Sequence, residues 1–110
     1  MAYTITKNPD GDVSLGNRAG EEVTLQPAIS DYATGGYAIV DGEQYNANGS
    51  LTINCDLWRI IGVIPIADQS GYELDWNSST KKLVIYKGGT QVSNGTDLSA
   101  FAFQLLLYGL

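Results

Sequence analysis

Ala100-Phe101-Ala102-Phe103-Gln104-Leu105-Leu106-Leu107-Tyr108-Gly109-Leu110 is the stretch that decides the fold class. It carries no charge and no proline, and it contains several strand-forming residues. Left uncovered, such a segment is an aggregation hazard, so it is expected to lie in a sheet or against a partner. Period-two alternation puts Phe101, Phe103, Leu105 and Leu107 on one face, the expected core side. Ala102, Gln104, Leu106 and Tyr108 fall on the other. That second face mixes an amide and a phenol with apolar groups, which makes it the better candidate for a subunit contact.

Moving towards the N-terminus, Lys87 to Ser99 is a polar connection rich in Gly, Ser, Thr and Asn. Its length predicts that the last strand crosses to another sheet, as sandwich and Greek-key topologies require. Before it, Lys82 to Tyr86 and Gly71 to Trp76 read as two strands joined by the turn Asn77-Ser78-Ser79-Thr80, with Tyr72, Leu74 and Trp76 on one face. Trp58 to Ile66 is almost continuously apolar and reads as a strand covered on both faces, or as one bulged at Gly62. These three runs together predict a meander of two hairpins. Asp41 to Asn54 is ambiguous. Asp41-Gly42 and Asn48-Gly49 signal turns. Leu51 to Ile53 fits a strand, a helical turn, or a loop laying Leu57 on the core. Tyr37 to Val40, Glu21 to Gln26 and Tyr3 to Lys7 are further strand candidates. Pro27 stops the second of these or leaves it at an edge, and Asn8 to Asp12 breaks the third. Val13 to Leu15 is a weaker segment, with a loop from Gly16 to Gly20.

The expected fold is therefore all-β, a two-sheet antiparallel sandwich of jelly-roll or Greek-key type with about seven strands and no substantial helix. Its 110 residues suit one domain. Residues 1–10 are either an extended N-terminal arm that pairs with a neighbour's sheet edge or an ordinary edge strand.

Charged residues make up only 16% of the chain, against about a quarter in ordinary globular proteins, and seven Tyr and two Trp are present. A large neutral, tyrosine-rich surface suits burial against another protein. The net charge of −6 and only six Lys and Arg argue against nucleic acid and anionic membranes. No apolar run is long enough to span a bilayer. Met1 to Lys7 lacks the basic start and apolar core of a signal peptide, so the chain is expected in a cytoplasm unless a larger particle carries it out.

Histidine is absent, which removes the commonest general base and transition-metal ligand. Cys55, the one cysteine, therefore lacks a His base and reads as a core residue. Asp10, Asp12, Ser14 and Glu21 match positions 1, 3, 5 and 12 of a calcium loop, but Leu15 stands where that loop needs glycine. Asn48-Gly49-Ser50, Asn77-Ser78-Ser79 and Asn94-Gly95-Thr96 match glycosylation acceptors and read better as turns. Glu73 and Asp75 share a strand face, where a solvated surface is the simpler reading than a glycosidase pair. Trp58, Trp76 and the tyrosines could form a sugar-stacking platform, although Trp76 shares the core face of Tyr72 and Leu74. No enzyme, cofactor or metal is expected.

The order from Trp58 onwards, with Ile60 to Ile66, Gly71 to Trp76, Lys82 to Tyr86, Asn94-Gly95-Thr96-Asp97-Leu98-Ser99-Ala100 and the apolar closing strand, resembles small structural proteins of tailed bacteriophages, notably capsid cement (decoration) proteins. The resemblance covers half of the chain, and its most specific piece is the Asn94 to Ser99 segment. It implies a virion protein on the capsid exterior, made in the bacterial host cytoplasm, that binds across major capsid protein subunits as a homotrimer. The alternative is a receptor- or carbohydrate-binding module of a phage tail or fibre. Tyr3, Ile5, Leu106 and Tyr108 are the candidate interface residues.

Overall fold

A computed structural model describes residues 3–67 and 71–110. The elements are β1 (Thr4–Leu15), β2 (Arg18–Gln26), β3 (Tyr37–Ala38), α1 (Gly42–Ala47), β4 (Ile60–Pro65), β5 (Glu73–Asn77), β6 (Lys82–Lys87), β7 (Thr90–Gln91) and β8 (Phe103–Gly109). One antiparallel sheet runs β1-β2-β8-β4; the other runs β3-β6-β5, with β7 beside β6. This is the expected all-β sandwich-like fold.

The closing strand is central. β8 pairs with β2 from Ala19↔Gly109 to Leu25↔Phe103, and with β4 from Ile60↔Gly109 to Pro65↔Leu105. Phe103, Leu105 and Leu107 are buried in the core, while Gln104, Leu106 and Tyr108 are half-buried on the far face. Leu105 and Leu107 pack with Val23, Leu25 and Ile60 of their own sheet and with Tyr37, Leu83 and Ile85 of the other. Leu74, Trp76 and Tyr72 cover this core from the β5 side, as their alternation predicts.

Three readings need correction. First, the meander has one hairpin: β5 pairs with β6, but β4 pairs with β8. Trp58 to Ile66 is not covered on both faces either, since Ile61, Ile64 and Ile66 remain exposed. The bulge is real; Ile61 is the extra residue between Ile60↔Gly109 and Gly62↔Tyr108. Second, Asn8 to Asp12 does not end the first strand. Four residues, Asn8 to Gly11, bulge opposite Glu22 alone, and Asp10 takes φ 55° within the bulge. Thr4 to Lys7 are paired with β2, so the described part of the N-terminus is an edge strand and not a free arm; Met1 and Ala2 lie outside the described residues. The following loop is only Gly16-Asn17, with Gly16 at φ 68° in the first position of a two-residue II′ turn. Third, Lys87 to Ser99 is not wholly irregular. A turn at Gly88-Gly89 adds the short β7, and the chain then crosses to the other sheet as expected.

The ambiguous stretch holds the one helix among the described residues. Asp41 caps α1, accepting the Gln44 N–H at 2.8 Å. The second Asp41 carboxylate oxygen accepts the Ile60 N–H at 2.8 Å, tying the helix start to β4. The loop beyond α1 lays Leu57 on the core, 5% exposed. Among the described residues no helix is long and apolar enough to cross a membrane.

Candidate functional site

Pairing register fixes what the β1-β2-β8-β4 sheet shows on its outer face, because directly opposed residues share a side. Leu15 and Arg18 form the first row beside the hairpin tip. Val13, Gly20, Tyr108 and Gly62 form the second, and Glu22, Leu106 and Ile64 the third. Thr6, Thr24 and Gln104 follow, with Thr4 and Gln26 beyond. The face thus divides into an apolar half nearer the β1–β2 turn and an amide and hydroxyl half further away.

Each half has a local cause. A side chain at Gly62 would collide with the Tyr108 ring and hydroxyl, so glycine there lets Tyr108 lie flat across β4. Gly20 has Val13 and Leu15 over it in the same manner. The result is a smooth surface from which Leu15 is 38% and Ile64 46% exposed. In the polar half the β1 bulge throws Asn8 over β2. Its amide donates to Gln104 Oε1 at 2.8 Å, and Thr24 Oγ1 donates to Asn8 Oδ1 at 2.6 Å. These polar groups satisfy one another.

The four candidate interface residues separate onto two sides. Leu106 and Tyr108 lie on this outer face. Tyr3 and Ile5 pack against the core instead; the Tyr3 ring sits 4.7 Å from that of Tyr37, and its hydroxyl donates to the Ala38 carbonyl. A groove of about 460 Å³ runs beside them, lined by Tyr3, Thr4, Ile5, Val40, Thr52 and Asn54. Among the described residues its lining carries amide, hydroxyl and apolar side chains. Trp58 and Trp76 do not build one platform. Trp76 packs on the core with its Nε1 buried and without a hydrogen-bond partner among the described residues, whereas Trp58 lies against Gly42 and is 50% exposed.

The acidic residues near the β1 bulge organise around a lysine. Lys7 Nζ lies 2.9 Å from Asp56 Oδ2 and 3.3 Å from Asp12 Oδ1, and these two partners raise its pKa, Asp56 more than Asp12. Asp10, Asp12, Ser14 and Glu21 do not converge as a calcium loop requires, and among the described residues no group of three or more acidic or cysteine side chains could hold a metal. Cys55 is buried, and burial pushes its thiol up to about 12, far from a reactive thiolate. The three Asn tripeptides are turns: Asn77 Oδ1, for example, accepts the Ser79 and Thr80 N–H groups. Glu73 and Asp75 lie on the exposed face of β5.

Glu21 is the buried carboxylate of this region, 2% exposed, accepting the Asp56 N–H at 3.1 Å. Burial raises its pKa, the Asp56 N–H opposes that, and the Asp56 charge adds to it. A carboxyl raised in the folded state binds its proton more tightly there than in the unfolded chain. Stability is then greatest below the ordinary glutamate pKa and falls as pH rises towards the folded value. Glu21→Gln is therefore expected to be more stable than the parent at pH 7, with the difference shrinking as pH is lowered towards 4. Urea denaturation at both pH values checks this; a less stable variant at pH 7 would show that the Asp56 hydrogen bond outweighs burial.

No family model, curated protein or solved structure matches this chain.

Proposed function

We propose that this chain is a non-enzymatic structural protein of a tailed-phage virion, a capsid cement protein that stabilises the head by burying apolar and tyrosine-rich surface across major capsid protein subunits. The observation that carries the reading is the smooth apolar half of the outer sheet face, from Val13 and Leu15 through Tyr108 to Leu106 and Ile64. A surface of this kind, on a protein with few charges, suits permanent contact with other subunits. The resemblance of the Trp58 to Leu110 half to decoration proteins supplies the setting, with an oligomer on the capsid exterior.

Immunogold electron microscopy of phage particles from the source of this sequence tests the reading, using antibody raised against this chain. Label over the head exterior is expected. Label on the tail or fibre would favour the receptor- or carbohydrate-binding alternative, and unlabelled particles would overturn the virion assignment.

A further inference from the structure

Glu21 and Asp41 are the two buried acidic side chains among the described residues, and both hold the segment that runs from α1 into β4. They are not equally supplied with donors. Each Asp41 oxygen accepts its own backbone N–H, from Gln44 and from Ile60. Both Glu21 oxygens share a single N–H, that of Asp56, with Oε2 at 3.1 Å and Oε1 at 3.4 Å. A buried carboxylate with one donor for two oxygens is poorly compensated for the water it has lost. Its charged surroundings do little to help. Asp12 of β1 stands directly opposite it, and β8 presents the apolar Leu107 on the other side. Lys7 is the one facing cation, and its Nζ already bridges Asp12 and Asp56. Cys55, also beside Glu21, is neutral, its thiol pushed up to about 12.

The Cys55-Asp56 pair lies between two anchors. On one side the Asn54 N–H donates to the Val40 carbonyl at 3.1 Å; on the other, the Leu57 and Trp58 carbonyls accept the Gly42 and Glu43 N–H groups at 3.0 and 2.7 Å. Between these anchors, the ties to β1 and β2 among the described residues both run through Asp56. Its carboxylate meets Lys7 where both side chains are exposed, and water competes for that contact. Its N–H meets Glu21 out of water, so the Glu21 contact is the one that holds the pair down.

We infer that Cys55-Asp56 is a strap that Glu21 latches while protonated and releases on ionisation, so that rising pH uncovers Cys55. Protonated Glu21 accepts the Asp56 N–H and carries no charge against Asp12 and Asp56. Loss of the proton to solvent leaves a carboxylate in a dry site, facing two other carboxylates and a lysine that serves both of them. Swinging Asp56 outward lets water reach that charge, and Cys55, the preceding residue, moves with it. Burial, more than the Asp56 charge, makes the closed form hold the Glu21 proton more tightly than the open form does. The closed form is therefore favoured at low pH, and opening grows as pH rises past the ordinary glutamate value towards that of the closed strap. The Val40 and Gly42 anchors do not involve Glu21, so the opening is local. The latch works within a single copy of the chain, whatever the outer face of the β1-β2-β8-β4 sheet contacts.

Alkylation of Cys55 by iodoacetamide reads the opening. The chain has one cysteine, so intact mass scores the reaction directly. Rates are measured at about pH 5 and about pH 8, on either side of the expected release. Each is divided by the rate for the same protein unfolded in urea at the same pH, which cancels the titration of the thiol itself. The wild-type relative rate is expected to be several-fold higher at the higher pH. It is also expected to exceed what the urea-unfolding equilibrium at that pH allows, the mark of a local opening. Glu21→Gln is expected to keep a low relative rate that does not change between the two pH values. A wild-type relative rate that is flat with pH, or that only equals the global-unfolding value, overturns the latch. A rise in Glu21→Gln as large as that of the wild type overturns it too. The wild-type comparison decides the matter by itself should the variant fail to fold.

Discussion

Deleting Leu105 to Leu110 is expected to abolish folding altogether. β8 is hydrogen-bonded along both edges, to β2 on one side and β4 on the other, so its loss bares one edge of β2 and takes from β4 its sheet partner among the described strands. The deletion also removes Leu105 and Leu107, both 0% exposed and at the junction of the two sheets. Truncating one such leucine to alanine costs about 2–5 kcal/mol in a packed core. Two of them, with the unpaired backbone of β2 and β4 added, exceed most of the roughly 5–15 kcal/mol that holds a domain together. The truncated chain should be insoluble on expression or, if refolded, should show no cooperative thermal transition by circular dichroism. Two point variants make the result specific to this strand's inner face. Leu105→Ala should remain folded with a loss of about 3 kcal/mol. Leu106→Ser, on the outer face, should keep a cooperative melt close to that of the parent. A soluble truncation with a cooperative melt would mean that β8 is dispensable to the core.

That inner and outer division of β8 was legible in the sequence because it depends only on alternation within seven residues. The β5–β6 hairpin was legible for the same reason, with a local turn at Asn77 to Thr80 and a clean face of Tyr72, Leu74 and Trp76. The partner of β4 was not. The apolar run from Trp58 to Ile66 marks a strand, but its choice of β8 over β5 is made by contacts some forty residues away, and adjacency along the chain points the other way. The Asn8 to Asp12 stretch misleads for a related reason. Its turn chemistry is genuine, yet it forms a bulge inside β1, because the strand resumes its pairing with β2 at Asp12.

Of the candidate interface residues, Leu106 and Tyr108 lie where the alternation puts them. For Tyr3 and Ile5 the apolar-polar pattern Tyr-Thr-Ile-Thr already favours the core side they take. Arg18 falls within Gly16 to Gly20, whose glycines signal a loop, so the sequence alone does not put it on a strand. Once β2 is known to begin at Arg18, period two places it and Glu22 on the outer face with Gly20 between them. The helix also left a signal. Asp41-Gly42-Glu43-Gln44 has the spacing of a capping box, an Ncap acid with Gln at the third helical position, although Asp41-Gly42 taken alone reads as a turn.

Asp41→Ala is accordingly expected to be among the most destabilising single changes in the protein. Asp41 is 1% exposed, and each of its carboxylate oxygens accepts one backbone N–H at 2.8 Å, from Gln44 and from Ile60. The first satisfies an orphan donor at the start of α1; the second anchors the first residue of β4, next to the Ile61 bulge. Alanine removes both acceptors and leaves the Ile60 N–H buried without a partner. Losing a helix cap costs about 1 kcal/mol, and stranding a buried donor costs about 1–3 kcal/mol. The sum of about 3 kcal/mol corresponds to a fall in Tm of more than about 10 °C for a domain of this size. Asp41→Asn separates the two roles. Its single carbonyl oxygen accepts one of the two N–H groups while its NH₂ faces the other, so its loss should be intermediate between parent and alanine. Thermal melts of the three proteins check the order. If Asn and Ala fall equally, the paired acceptance is an all-or-none clamp between α1 and β4. If neither shifts Tm by more than a degree or two, the clamp holds no stability, and the position of β4 must then be set by its pairing with β8 alone.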